Sequence, residues 1–304
     1  MISILLIAIA ALFFTGIINK VKAKIGGRKM PSVFQPVYDL IRLFKKGAVY
    51  SNTTSIIFKI APSVYLASVF TAMLFIPIGN LHSLLSFHGD FVFFTYLLGI
   101  GKFMMIIAAM DTGSGFEGMG ANREALYSLL VEPAFFILAG SVALFTNNIS
   151  FQELFLHLHM SSNLSIIIGI AAIYVLMYIA IVENSRLPVD DPKTHLELTM
   201  VHEVMVLDNS GFDLALIHLA SWFKFSIYGA IISNFLIQVQ WPVYVQILSF
   251  FFIQAVFAFT IGILESFRAR NKMEKNPQWI IMLSAIAIVV FLTALIITNK
   301  IILH

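Results

Sequence analysis

The chain is a succession of long apolar runs separated by polar stretches. Eight of the runs approach the roughly 20 residues that an α-helix needs to cross hydrocarbon at about 1.5 Å per residue. They fall at about 1–18, 56–78, 91–110, 125–146, 164–182, 214–237, 243–264 and 279–298. A membrane β-barrel would alternate apolar and polar residues in segments of about 10, and these runs are continuous and about twice as long. The pattern predicts an all-α integral membrane protein, a bundle of eight transmembrane helices forming one domain over residues 1–304, with no soluble domain. One polar stretch has a different period. Val37, Leu40, Ile41 and Phe44 stand at i, i+3, i+4 and i+7, with Asp39, Arg42, Lys45 and Lys46 turned away, which predicts an interfacial amphipathic helix. Pro36 suits its first turn, and Gly26-Gly27 supplies flexibility just before it.

Only 12% of the 304 residues are charged, against 59% hydrophobic, so charge is concentrated where water or a partner is available. Lys20, Lys22, Lys24, Arg28, Lys29, Arg42, Lys45 and Lys46 lie in the first loop, Arg123 in the third, Arg186 and Lys193 in the fifth, and Arg268, Arg270, Lys272 and Lys275 in the seventh. The intervening loops hold no Lys or Arg, which puts the odd-numbered loops in the cytoplasm and both termini outside. The first run has no basic segment ahead of it and no small-residue cleavage site, so it reads as a retained helix. A net charge of +3 invites a nucleic-acid reading. The basic residues crowd the membrane edge instead, where they set topology and meet anionic membrane lipid, so nucleic acid is excluded as a partner. The chain has no cysteine, and iron–sulfur clusters, nickel–iron centres and structural zinc mostly need thiolates. Any redox centre this protein serves is expected in other chains.

The polar loops carry the candidate chemistry. Gly113, Gly115 and Gly118 satisfy G-x-G-x-x-G, but a dinucleotide fingerprint follows a strand and this one follows a membrane helix. These glycines predict a tight loop over 111–124, with Arg123 and Glu124 at the entry to the next helix. The 183–213 loop packs charge between two apolar runs, with His195, Glu197, His202 and Glu203 on an expected short helix capped near Thr194. His202-Glu203 is no zincin motif, because position 206 is Val. His195, Thr199 and His202 share one face of that helix, and a structural or interface role suits the histidines better than metal binding.

Ionisable side chains within the hydrocarbon cost several kcal/mol unless paired or hydrated. Lys102 and Glu132 lie roughly 10–12 Å in from the cytoplasmic helix ends, Lys224 roughly 15 Å and His218 about 6 Å, with Glu183 closing the fifth run nearby. Adjacent antiparallel helices are expected to bring Lys102 and Glu132 to equal depth. That pair is either a static lock between helices or, with Glu183, His218 and Lys224, part of a hydrated ion path.

Asp111-Thr-Gly-Ser-Gly-Phe, Gly118-Met-Gly-Ala-Asn-Arg-Glu124, Glu132-Pro133 and the stretch from Arg186-Leu-Pro-Val-Asp-Asp-Pro through His202-Glu203 resemble the membrane-anchor subunit of formate hydrogenlyase and hydrogenase-4, the group 4 membrane-bound nickel–iron hydrogenases. That family is related to respiratory complex I subunit 1. Gly26-Gly-Arg-Lys-Met-Pro through Leu40 resembles its first loop, so the likeness runs end to end. The resemblance implies a non-catalytic membrane-anchor and coupling subunit of a prokaryotic cytoplasmic-membrane complex. Its partners would be hydrogenase large and small subunits, a ferredoxin-like iron–sulfur subunit and antiporter-like membrane subunits. The nickel–iron centre and iron–sulfur clusters would sit in those partners. The implied interface to the hydrogenase module is Asp111, Arg123, Glu124, Arg186, Asp190, Asp191, His195, Glu197, His202, Glu203 and Asp208. One departure is Leu207-Asp-Asn-Ser-Gly211, where Asn209 replaces the aromatic or ionisable residue of the family pattern. Two rival readings are a quinone-site subunit, which needs a lipid-accessible chamber under the 183–213 loop, and a stand-alone cation transporter.

Overall fold

A computed structural model of the chain describes residues 2–158, 163–190 and 200–298. Eight of its helices are long and apolar enough to cross a membrane. They are α1 (Ile2–Ile25), α3 (Ile56–Met73), α4 (Asp90–Asp111), α5 (Gly115–Thr146), α7 (Asn163–Glu183), α9 (Gly211–Leu236), α10 (Val243–Phe267) and α11 (Asn276–Ile297). Between them lie the shorter α2 (Gln35–Phe44), α6 (Phe151–Leu156) and α8 (His202–Met205), and no strand occurs among the described residues. The expected all-α bundle of eight spans is therefore present.

The long helices are apolar nearly all round, as lipid-facing or centrally packed helices must be, because lipid solvates no exposed backbone polar group. Packing decides which face each one buries. α3 lies along α4, α5 along α11 and α1 along α10, and α9 threads between α1, α3, α7 and α10. Consequently α9 is buried along most of its length, including the full run Lys224–Phe235. Phe14 on α1 stacks at 5.0 Å on Phe225 of α9 and meets Phe257 of α10 edge-on at 5.3 Å, joining three helices at one point.

Three expectations are corrected. α5 begins at Gly115, ten residues before the apolar run itself, so the supposed glycine loop shrinks to Thr112–Ser114 and Gly115, Gly118 and Gly120 are helical. The extra turns are tolerated because their polar side chains are partnered: Glu117 accepts from the Asp208 backbone N–H at 3.0 Å, and Arg123 donates to the Met200 carbonyl at 3.0 Å. Gly120 permits this approach, since a Cβ there would stand 2.8 Å from the Val201 carbonyl oxygen. The amphipathic helix α2 exists, but its packed face is Val37, Leu40, Leu43 and Phe44, set against Ala215 and Trp222 of α9, while Ile41 faces outward. Thirdly, α8 is a single turn, and Asp191, His195 and Glu197 lie outside the described residues, as does His159.

Candidate functional site

Four charged side chains from four spanning helices meet inside the bundle. Lys102 of α4 reaches Glu124 of α5 at 2.9 Å and Glu183 at the end of α7 at 3.2 Å. Lys224 of α9 reaches the same Glu183 oxygen at 2.7 Å and donates to its backbone carbonyl at 2.7 Å. None of the four side chains is more than 10% exposed. Two ammoniums against two carboxylates make the group formally neutral, which is how so much charge is accommodated away from water. Ser185 completes it from just past α7. It sits in the left-handed region at φ 47°, and its hydroxyl donates to the second Glu124 oxygen at 3.0 Å. A non-glycine residue held there costs on the order of 1–3 kcal/mol unless its surroundings hold it.

Two small cavities touch this cluster. One, of about 30 Å³, is lined by Lys102, Glu183, Glu132, Thr95, Ser128 and Tyr228 among others. The second, of about 10 Å³, is lined by Lys102, Glu124, Glu183, His202, Asn184 and Ser221 with Tyr65 and two methionines. A water needs roughly 10–15 Å³ and two to four polar partners, so the first cavity has room for a water and the second is at the limit. Lys102 and Glu183 line both. In order, the polar groups run from Glu132 through Lys102 and Glu183 to Glu124 and His202.

Glu132 is half-buried on that first cavity, and among the described residues its carboxylate takes no ion pair. The expected Lys102–Glu132 pair is thus corrected. Glu124 lies eight residues earlier on the same helix, about 12 Å nearer the charged end, and it captures the Lys102 ammonium together with Glu183. His218 is not in the cluster either. It lines a separate chamber with Trp222.

Several residues expected at a partner surface turn inward. Glu124 belongs to the cluster. Asp190 is buried, accepts from the backbone N–H groups of Val201 and His202 at 3.2 and 3.0 Å, and pairs with Arg270 at 2.8 Å. Burial pushes its carboxyl above the ordinary value, against the pull of those two donors and the guanidinium. It therefore ties the chain at 190 to Val201 and His202 and to Arg270, and its charge is spent within the subunit. Arg186 pairs with Glu265 at 3.4 Å and lies over the Phe225 ring, while Asp111 accepts from the Ser55 N–H at 2.7 Å. Asp208 is exposed at that same end of the bundle, and Glu203 sits half-buried on α8. His202 presents its imidazole to Glu124, and burial holds its pKa down to about 4 even though that carboxylate opposes the shift. Among the described residues no three His, Asp or Glu side chains are grouped to hold a metal.

Sequence reasoning missed Glu265. Its side chain is fully buried at the end of α10, where it takes both Lys22 at 2.7 Å and Arg186. The available signal was a lone carboxylate at the edge of an otherwise apolar run.

A membrane-spanning helical bundle with a buried, neutral four-ion cluster facing a charged loop assembly defines a multi-pass membrane protein built around internal ionisable groups. The model of the NADH dehydrogenase family matches residues 1–297, and the chain belongs to that family of respiratory complex I subunit 1-like proteins. Two relatives from Escherichia coli (strain K12) are similar. Hydrogenase-4 component C is 28% identical over 209 residues, and formate hydrogenlyase subunit 4 is 29% identical over 199. These stretches cover 69% and 64% of this chain, and 64% of the length of each relative. A chain from the membrane-bound sulfane sulfur reductase, an archaeal respiratory membrane complex, has the same fold, with a TM-score of 0.82 over 96% of both chains at 19% identity.

Proposed function

We propose that this protein is the membrane-anchor and coupling subunit of a complex I-like assembly of the formate hydrogenlyase and hydrogenase-4 type. In this reading it docks a soluble nickel–iron hydrogenase module on its charged face and links electron transfer there to proton or sodium movement in the membrane. The metal centres belong to partner subunits, the charged face is cytoplasmic, and both termini lie outside. The observation that carries the reading is the buried Lys102–Glu124–Glu183–Lys224 cluster, flanked by cavities that lead to Glu132 on one side and to His202 under the loop face on the other. A static lock would need only the ion pairs. Glu132 adds a carboxylate that has no ion-pair partner among the described residues and shares a water-sized cavity with the lock, which is what a proton relay requires.

The chemistry assigned to this chain is ion and charge transfer alone. A redox event at the docked module changes the charge seen by the loop face. His202 and Glu124 are the first titratable groups inside it, and Lys102, shared by Glu124 and Glu183, is the element whose pairing shifts with their protonation.

The test is ion pumping in proteoliposomes containing the assembled complex, purified through a tag on this subunit so that its partners are identified in the same step. Because Glu132 takes no ion pair among the described residues, Glu132→Gln is expected to assemble at wild-type level while pumping falls to background and electron transfer continues. Full pumping by that variant removes Glu132 from the path. Recovery of the tagged subunit with no redox partner removes the docking role.

A further inference from the structure

α7 ends at the ion cluster, and the turn that ends it is held under strain. The Arg186 N–H donates to the Ile181 carbonyl at 2.9 Å and the Ser185 N–H to the Val182 carbonyl at 3.0 Å, the paired bonds of a Schellman stop. Such a stop puts the residue after its cap in the left-handed region, which glycine enters freely, and here that residue is Ser185 at φ 47°. The serine earns its place through its hydroxyl, which donates to Glu124 at 3.0 Å. The same corner sets Glu183. Its carboxylate takes Lys102 and Lys224, and its carbonyl, left without a helical partner at the end of α7, accepts from Lys224 at 2.7 Å.

The corner is braced from outside the cluster. Arg186 follows Ser185 directly, and its guanidinium lies over the Phe225 ring at 5.2 Å and pairs with Glu265 at 3.4 Å. Glu265 stands near the end of α10 with its side chain fully buried, and Lys22 of α1 takes its second oxygen at 2.7 Å. Burial removes water as a competing partner, so this carboxylate is a fixed point on two helices that contribute nothing to the four ions. Neutralising two buried cations would explain Glu265 equally through either partner. The partners differ in what they carry, however. Lys22 lies within the regular α1, whereas Arg186 adjoins one of only two non-glycine residues with positive φ among those described, the other being Asn147 at the opposite end of α5. A residue in that conformation persists only where its surroundings over-determine it.

We propose that Glu265 is a positioning residue for the ion path: through Arg186 it holds the Ser185 corner, and with it the Ser185 hydroxyl and the Glu183 carboxylate, in register with Glu124 and Lys102. Its role in pumping rests on the ion-path reading given above, and its hold on the corner rests on the geometry alone. Glu265 pairs with neither Lys102 nor Lys224, so α10 reaches the cluster only by way of the chain at 185–186.

In the assembled complex, hydrogen exchange of the Ser185 and Arg186 amides reads the corner, and ions pumped per electron in proteoliposomes reads the path. E265Q is expected to speed that exchange and to lower the pumping ratio, each roughly tenfold. K22M removes the other partner of the same carboxylate and is expected to change either by less than about twofold. Glycine takes the left-handed turn unaided, so E265Q/S185G is expected to exchange and to pump as S185G alone does. R186K keeps the charge but loses the planar fork and the ring stacking, and it is expected to free the corner as E265Q does, which covers the case in which E265Q fails to accumulate. Unchanged exchange in E265Q or R186K overturns the proposal. So does an equal effect in K22M, or effects of E265Q and S185G that simply multiply, since either makes Glu265 a neutraliser of buried charge alone. A freed corner with full pumping supports the hold of Glu265 on the corner and overturns the ion-path reading instead.

Discussion

The two ends of the bundle bury polar groups by opposite means. At the end away from the loop face the buried groups are mostly neutral amides in fixed pairings. Asn234 accepts from the Gly79 N–H at 3.0 Å and donates to the Pro77 carbonyl at 2.8 Å, while Gln246 accepts from the Asn80 N–H at 2.8 Å and donates to the Trp241 carbonyl at 2.8 Å. These side chains staple the α3–α4 connection to α9 and α10. At the charged end the corresponding positions on α4, α5, α7 and α9 hold lysines and glutamates that share partners. An amide staple has one satisfied state. A shared ion cluster has several nearly balanced ones, because a proton added to or removed from one member redistributes the pairing of the rest. The first arrangement fixes a loop, and the second can respond to charge.

The largest expected effect tests the cluster directly. Glu183→Ala removes the carboxylate shared by Lys102 and Lys224 and leaves buried ammonium uncompensated, which is expected to cost about 3–5 kcal/mol, read as a lowered unfolding midpoint in detergent. A loss under about 0.5 kcal/mol would mean that water already reaches both lysines and that the cluster is not a closed ionic unit. Asn234→Leu tests the opposite end. It strands the Gly79 N–H and the Pro77 carbonyl at a cost of about 1–3 kcal/mol, and it should leave pumping per assembled complex unchanged. Abolished pumping with assembly intact would erase the contrast between the two ends.

A smaller effect concerns pH. The folded protein keeps His202 neutral down to about 4, whereas the unfolded chain takes up that proton near 6.5. Between those values the unfolded state binds more protons, so stability rises with pH. This contribution is complete above about 6.5 and is lost as the pH falls toward about 4. His202→Gln should flatten that part of a stability–pH curve, and an unaltered slope would place the imidazole in water. The smallest effect is expected at Arg42, 74% exposed in its side chain and 3.7 Å from Asp39. Arg42→Ala should change stability by less than about 0.5 kcal/mol, as solvent-screened pairs do. A larger loss by thermal unfolding would show that exposed pairs on α2 matter in the way the buried cluster does.

Much of this was legible in the order of residues. Hydrophobic run length gave the eight spans, because crossing lipid as a helix demands length and continuity whatever the neighbours are. The cost of charge in hydrocarbon singled out Lys102, Glu132, Glu183 and Lys224 as residues needing an explanation. Partner choice was not legible. Depth counting placed Lys102 level with Glu132, but a lysine chooses among all carboxylates within reach of its flexible stem, and the packing of α5 and α7 put Glu124 and Glu183 nearer. The α2 periodicity put Ile41 on the buried side, and the direction from which α9 approaches put Leu43 there instead. Asp190 read as an exposed loop acid because nothing local shows that a chain folds back over it. The Val201 and His202 N–H groups arrive from eleven and twelve residues away, and Arg270 arrives from another loop. The sequence by itself determined what must lie in the membrane and which charges are costly there, since both follow from the solvent and from local periodicity. Only the tertiary structure decided which charges neutralise one another, because that depends on which helices come within a few ångströms, and helix-to-helix distance has no local code.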